Sequence, residues 1–157
     1  MLIMEEIKLS TGIKKIAIKD EDGEVVTVLS VNVADARTAD KFARIIDELN
    51  GIYGRCEEEA DQWKQDHADV AVTEENQIPL ILEVNRIRVK YLNQIINSIE
   101  ELFGAGTIKN IYGEIVPDEN ALMEFIEQII PVMSSLFNKR FEQTKKRYNS
   151  NRKGARA

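Results

Sequence analysis

Cysteine and histidine are almost missing from this sequence of 157 residues, which holds one of each, Cys56 and His67. A single cysteine cannot form an internal disulfide, so we expect a reducing compartment and a small core residue rather than a nucleophile. His67 stands beside Asp66 without a nearby serine, so we expect a solvated surface side chain. A zinc site needs several such ligands at short spacing. The sequence therefore predicts no catalytic residue, no metal site and no cofactor, and hence a protein that is not an enzyme.

Long hydrophobic runs are missing as well. No apolar stretch approaches the roughly 18 to 20 residues that a membrane helix requires. The opening MLIMEEIKLS has two glutamates and no basic region before an apolar one, which is unlike a secretory signal. These features predict a cytoplasmic protein without a membrane partner.

Two short motifs have features of ligand sites but lack essential parts of them. The acidic run Glu57-Glu58-Glu59 lacks the alternating oxygen ligands and the central glycine of a calcium loop, so a solvated helix face is favoured. The segment FGAGTIKN, residues 103–110, has the glycines of a phosphate loop without its Gly-Lys-Ser/Thr ending or a preceding strand. The end of a helix followed by a turn is the favoured interpretation there.

The first 33 residues show the alternation that is typical of strands. Apolar residues alternate over Glu5–Leu9 and again over residues 13–18, and β-branched residues fill residues 25–31. The sequence Asp20-Glu21-Asp22-Gly23 predicts a hairpin turn between the last two strands. Such a meander cannot bury both of its faces, so it has to pack on the helices that follow.

Three helical regions follow the strands. The first covers residues 34–67, with Asp35 as its N-cap and a joint at Asn50-Gly51 that divides it into two helices. The second starts after Thr73 and ends at Gly104. Its apolar residues occupy more than one face between Ile81 and Leu102, which predicts a central helix packed on two sides.

The third helical region begins in the acidic turn Asp118-Glu119-Asn120 and contains Pro131, which predicts a kink. One face carries apolar side chains at spacings of three and four residues, which predicts a core-facing stripe. The members of this stripe are Leu122, Phe125, Ile126, Ile129, Met133, Leu136 and Phe137.

We therefore predict an α+β fold in a single domain of residues 1–157. An N-terminal three-stranded antiparallel β-meander over residues 1–33 packs on a bundle of three to four α-helices over residues 34–148. Residues 149–157 form a basic, disordered tail.

Charge is distributed very unevenly along the chain. Residues 138–157 hold eight Lys and Arg against one Glu, which is a charge of +7, while the whole chain carries −6, so residues 1–137 carry −13. This polarity predicts a partner-binding or self-association role for the basic end, with a solubilising tail as an equally favoured alternative. Nucleic acid is a less favoured partner, because the body of the protein is acidic. The candidate partner-binding residues are Lys139, Arg140, Lys145, Lys146, Arg147 and Tyr148.

The segment GAGTIKNIYGE, the acidic cap, the LMEFIEQIIP helix and its KR…KKRY end resemble the C-terminal half of tail assembly chaperones. These small proteins are encoded by tailed phages and prophages of low-GC Gram-positive bacteria, just upstream of the tape measure gene. The front half is similar too, with its D-x-D-G turn and the segment VNVADARTADKFARIIDEL. The resemblance covers most of the chain, but the acidic segment Arg55–Asp69 matches nothing in it.

The resemblance implies a non-enzymatic protein of virion morphogenesis in the host bacterial cytoplasm. Such a protein would bind the tape measure protein, keep it soluble while tail-tube subunits polymerise around it, and be absent from the mature virion. Two other classes stay open. One is a structural tail or head-completion component that is retained in the virion. The other is a helical adaptor or regulatory protein whose basic tail contacts nucleic acid.

Overall fold

The computed structural model describes residues 3–68 and 77–155, with side chains through Arg152. Two strands precede five helices in these ranges, so the chain has the predicted α+β fold. The meander has two strands where three were predicted, and the helices number five where three to four were predicted. The helices are α1 (Thr38–Asn50), α2 (Ile52–Asp66), α3 (Gln77–Phe103), α4 (Thr107–Tyr112) and α5 (Glu119–Ala155).

The two strands form an antiparallel hairpin, β1 (Ile13–Lys19) and β2 (Val25–Asn32). Asp20 closes the predicted turn, because its Oδ1 accepts hydrogen bonds from the backbone N–H groups of Asp22 and Glu24 at 2.9 and 3.0 Å. Leu29 and Val31 on alternate positions of β2 are buried, and the strand lies against α3 and α4. The hairpin therefore buries one face, as its period of two requires.

The predicted first strand, Glu5–Leu9, is wrong. Residues 3–12 contain no strand and nearly all of them are exposed. The chain bends at Gly12, whose φ is +79° and whose carbonyl accepts a hydrogen bond from Val33 N–H at 2.9 Å. Alternation shows which residues could share one face of a strand, but a strand forms only where its backbone pairs with a neighbour, and residues 3–12 pair with neither strand of the hairpin.

Gly12→Ala is expected to cost about 1 to 2 kcal/mol more in the free energy of unfolding than Gly23→Ala. Both glycines have φ of +79°, so both variants carry the same backbone strain. A Cβ at Gly12 would lie 2.5 Å from Ala34 Cβ, whereas a Cβ at Gly23 would meet nothing within 4 Å. Urea unfolding of the two variants measures the difference. Equal losses would show that the contact between residue 12 and Ala34 relaxes at no cost.

The first helical region is two helices, as predicted, and Gly51 both ends α1 and precedes α2. The predicted N-cap is wrong, because Arg37 occupies that position. Asp35 instead accepts hydrogen bonds from the backbone N–H and the Nε of Arg37, which holds the pKa of the Asp35 carboxyl down at about 2. Asp35 thus closes the turn before the helix.

Helix α3 is packed on two sides over its second half, by α1 and α2 on one side, through Ser98 and Tyr91, and by α5 on another, where Phe103 meets Phe125. Ile87, Leu92, Ile95 and Ile99 are buried there. The prediction is wrong for the first two turns, where the apolar side chains are exposed. The predicted start after Thr73 lies outside the described residues.

The predicted boundaries between α3 and α5 are confirmed. Gly104, with φ of +115°, ends α3, and its N–H donates to Glu100 O at 2.9 Å. Helix α4 forms between Gly106 and Gly113 and was not predicted. Asp118 caps α5, because its Oδ1 accepts a hydrogen bond from Ala121 N–H at 2.9 Å.

The predicted stripe of α5 faces the core. Phe125 packs edge-on against Phe103, with ring centroids 6.0 Å apart, and Phe137 packs against Phe42 at 6.4 Å. The helix continues through Pro131, which lies on its exposed side. The central buried residues include Leu29, Ile45, Ile52, Leu92, Ile95, Ile99, Leu122 and Met133.

The predicted disordered tail is helical as far as the structure describes it. Helix α5 continues past residue 149 to Ala155, and every side chain from Phe141 to Arg152 is exposed. The polar and basic composition of this segment predicts disorder, but straight-chain Lys and Arg residues are also good helix formers. Residues 141–155 therefore extend the helix beyond the core.

Candidate partner-binding surfaces

The predicted partner-binding residues lie together on the end of α5, residues 139–152, which we call the basic end. Its side chains are exposed, except for the half-buried Arg140. Phe141 and Tyr148 stand out from it with 66% and 65% of their surfaces accessible. Seven residues make about two helical turns, so these two rings share one face. Sequence reasoning included Tyr148 in the site but missed Phe141, although the spacing from Phe137 to Phe141 and Tyr148 continues the apolar stripe.

Basic side chains flank the two rings on both sides. At 100° per residue, Arg140 and Arg147 lie on one side of the Phe141–Tyr148 line, and Lys145 and Arg152 lie on the other. Among the described residues, the ion pairs do not include any member of the basic end. The basic end is thus an amphipathic helix with a narrow apolar face and cationic borders.

A surface of the opposite sign runs along α2. Glu57, Glu58 and Asp61 are exposed on one side of this helix, and only Asp61 has a cationic neighbour, Lys64 Nζ at 4.0 Å. The interpretation as a solvated helix face is confirmed for these three residues, whereas Glu59 of the predicted run is half-buried and binds Lys90 of α3. In the described ranges, no group of three or more potential metal ligands occurs. We call these three residues the acidic face.

An apolar surface lies at the start of α3. Ile78, Ile81 and Leu82 are 63 to 64% exposed, and their spacing places them on one side of the helix. Sequence reasoning assigned Ile81 and Leu82 to the interior, because their pattern continues into the buried half of α3. We call this set the apolar tip.

Helix α2 runs antiparallel to α3, so the acidic face and the apolar tip belong to one helical hairpin. Lys90 Nζ lies 2.6 Å from Glu59 Oε1, and Tyr91 donates a hydrogen bond to the same carboxylate. This hydrogen bond raises the pKa of Tyr91 to about 12, and the two contacts lower the pKa of Glu59. Nearer the start of α3, the hydrogen bond from Arg86 lowers the pKa of Glu83.

Cys56 and His67, whose residue types are the most suited to catalysis, both pack against neighbouring side chains. Cys56 is half-buried beside the core, and burial raises the pKa of its thiol, which opposes formation of the nucleophilic thiolate. His67 is exposed, as predicted, and its ring is stacked on Trp63 with 4.1 Å between centroids. Both side chains therefore belong to packing.

Two further apolar surfaces are exposed. The N-terminal segment, residues 3–12, presents Ile3, Met4, Ile7 and Leu9 with 80 to 85% of each side chain accessible. A groove of about 170 Å³ lies between α1 and α5. It is lined by Ile46, Leu49, Asn50, Met123, Ile126, Glu127 and Ile130.

Residues 25–157 match a family of unknown function, DUF6673. The chain belongs to this family. The match includes β2, all the described helices and the basic end, and it leaves out the N-terminal segment and β1. No match to the chain is found among curated proteins, nor among solved structures. Of the helices in residues 3–68 and 77–155, none has the length and hydrophobicity needed to cross a membrane.

Proposed function

We propose that this member of DUF6673 is a phage tail assembly chaperone that binds the tape measure protein and keeps it soluble. One observation carries the proposal. The N-terminal segment holds four large apolar side chains, each at least 80% exposed, which is more than any apolar side chain of the apolar tip or the basic end. Exposed apolar groups concentrated in this way mark interaction sites. The resemblance of the α4–α5 region to tail assembly chaperones supports a tape measure protein as the client.

The α1–α5 groove provides a second contact for the same client. Met123 and Ile130 line it beside the aliphatic Ile46, and methionine adapts its shape to different apolar partners. An amphipathic client helix would lay its apolar side in this groove. The extended N-terminal segment would cover another part of the client. Such contacts are individually weak, which suits a protein that has to be released as the tail tube grows.

Co-expression with the tape measure protein of the same gene cluster tests the proposal. We expect the client to stay soluble and to co-purify with the full chain. A variant with Ile3, Met4, Ile7 and Leu9 all changed to serine should fold normally, because none of these side chains is buried. It should lose at least about 90% of the co-purified client, equivalent to a tenfold weaker interaction. The matched control changes Glu5, Glu6 and Lys8 to glutamine in the same segment and should retain the client.

Gene deletion and analysis of finished particles distinguish a chaperone from a structural component. A chaperone is required for tails and is missing from purified mature particles. Stoichiometric amounts of the protein in mature tails would contradict the proposal and favour a retained structural component.

The solubility of the serine and glutamine variants themselves is a further control on the co-expression test. If both variant proteins become insoluble, the N-terminal segment acts through folding and not through client contact.

A further inference from the structure

The basic end and the apolar tip lie at opposite ends of the molecule. Glu119, at the start of α5, is held by Arg88 in the middle of α3, and Phe125, further along α5, packs on Phe103 at the last residue of α3. The two helices therefore run in the same sense. The end of α5 extends past the end of α3, whereas the apolar tip is at the start of α3.

The distance between these surfaces prevents contact within one molecule. Fifteen residues separate Phe137, the last aromatic residue of α5 that packs on the core, from Arg152. At 1.5 Å per residue, the basic end extends about 22 Å beyond the core, away from the apolar tip. This segment is a continuous helix whose side chains from Phe141 to Arg152 are all exposed, so a partner for the basic end has to be another molecule.

The two surfaces are complementary in both charge and polarity. The basic end presents Phe141 and Tyr148 between cationic borders, and the α2–α3 hairpin presents an apolar tip together with the acidic face. Two basic ends would repel each other, and so would two acidic faces. The favourable pairing joins unlike ends of two copies.

We propose that the basic end of one copy docks on the α2–α3 hairpin of a second copy, with Phe141 and Tyr148 against Ile78, Ile81 and Leu82. Lys145 and Arg152, which share one side of the two rings, then face the acidic face, Glu57, Glu58 and Asp61. Because the joined surfaces differ, each added copy leaves one free surface of each kind. A head-to-tail contact of this type produces an open chain of copies unless the rotation between them closes a ring.

This arrangement is independent of the client contact proposed above, since it uses neither the N-terminal segment nor the α1–α5 groove. An open row of copies would suit a long, extended client. Its formation is testable in purified protein without any client, so failure of either proposal leaves the other in place.

Charge reversal with mutual rescue is the decisive experiment. The first variant carries Lys145→Glu and Arg152→Glu, and the second carries Glu57→Lys and Asp61→Lys. All four side chains are exposed, so both variants should retain the native circular dichroism spectrum. The matched control carries Lys14→Glu and Lys19→Glu on β1, which makes the same change in net charge as the first variant elsewhere on the surface.

Sedimentation velocity at low salt measures the association. The wild-type protein and the β1 control should gain mass as concentration rises and should lose that mass at high salt, because salt screens exposed charges. Each reversed variant alone should associate at least about tenfold more weakly. A mixture of the two should associate again, since the acidic end of one then meets the basic hairpin of the other. The variant with Phe141→Ser and Tyr148→Ser should associate more weakly than the wild type, and mixing it with the first variant should not restore association, because neither copy then supplies an intact basic end.

Several results would overturn the proposal. These are a monomeric wild-type protein at low salt, unchanged association of the first variant, or a mixture that stays dissociated. If the wild-type protein is monomeric and binds a single-stranded oligonucleotide at physiological salt through the same cationic residues, the basic end serves nucleic acid instead of a second copy.

Discussion

Replacing Phe125 with alanine is expected to lower the free energy of unfolding by about 3 to 5 kcal/mol. The Phe125 side chain is 6% exposed, and its ring meets the ring of Phe103 edge-on at 6.0 Å. Truncation would remove this contact and leave a cavity where α5 packs on the end of α3. For a chain of this length, the loss corresponds to a fall in Tm of roughly 10 °C.

Met123→Ala is the matched control for that prediction. Met123 lies two residues earlier on the same helix and is partly exposed in the α1–α5 groove, so its truncation should cost less than about 1 kcal/mol. Thermal unfolding followed by circular dichroism compares the two variants. A Phe125→Ala protein with the wild-type midpoint would show that the stripe is not a core surface, and would make it a candidate for client binding.

Local signals predicted much of the fold. Asp20 and Gly23 specify the hairpin turn through side-chain acceptors and a positive φ, and Gly104 and Asp118 mark helix ends through the same kind of local chemistry. The stripe of α5 follows from periodicity alone. Each of these features depends on residues within a few positions of one another, which a sequence displays directly.

The errors concern partners that are distant in sequence. The alternation of residues 5–9 suits a strand, but in the described structure these residues do not pair with either edge of the β1–β2 hairpin. The apolar residues of α3 predict packing on more than one side along the whole helix. Their pattern does not show that α1 and α2 cover only its second half. Helix α4 was missed because its six residues, set between two glycines, are too few to show periodicity.

The candidate surfaces were predicted to a similar extent. The basic end is recognisable from composition, because its charge differs so strongly from that of residues 1–137. The apolar tip was not recognised, since exposure depends on where neighbouring helices end. The sequence did contain a signal. The apolar pattern of α3 continues to its start, whereas α2 is strongly charged and has few apolar residues to pack against it.

Arg88→Met is expected to lower the free energy of unfolding by about 2 to 3 kcal/mol at neutral pH. Arg88 donates from Nε and Nη2 to the two carboxylate oxygens of Glu119, both at 2.5 Å. The Glu119 side chain is 8% exposed and the Arg88 side chain 41%, so solvent reduces the loss below that of a fully buried pair. Methionine keeps the length of the apolar stem and leaves Glu119 buried without its cation.

The pH dependence separates loss of this ion pair from loss of packing. The hydrogen bonds from Arg88 lower the pKa of Glu119 from its usual 4.5, and this effect outweighs the opposing effect of burial. The stabilisation is therefore complete above about pH 4.5 and is lost as the pH falls through the lowered pKa of the folded state. In Arg88→Met the unpaired carboxylate should titrate at higher pH, so the difference in the free energy of unfolding between variant and wild type should shrink in acid.

Arg86→Met, which removes an exposed partner of Glu83, is the control and should have a much smaller effect at neutral pH. Equal losses for the two variants at neutral pH, or a difference that stays constant into acid, would show that the Arg88–Glu119 pair does not stabilise the junction of α3 and α5.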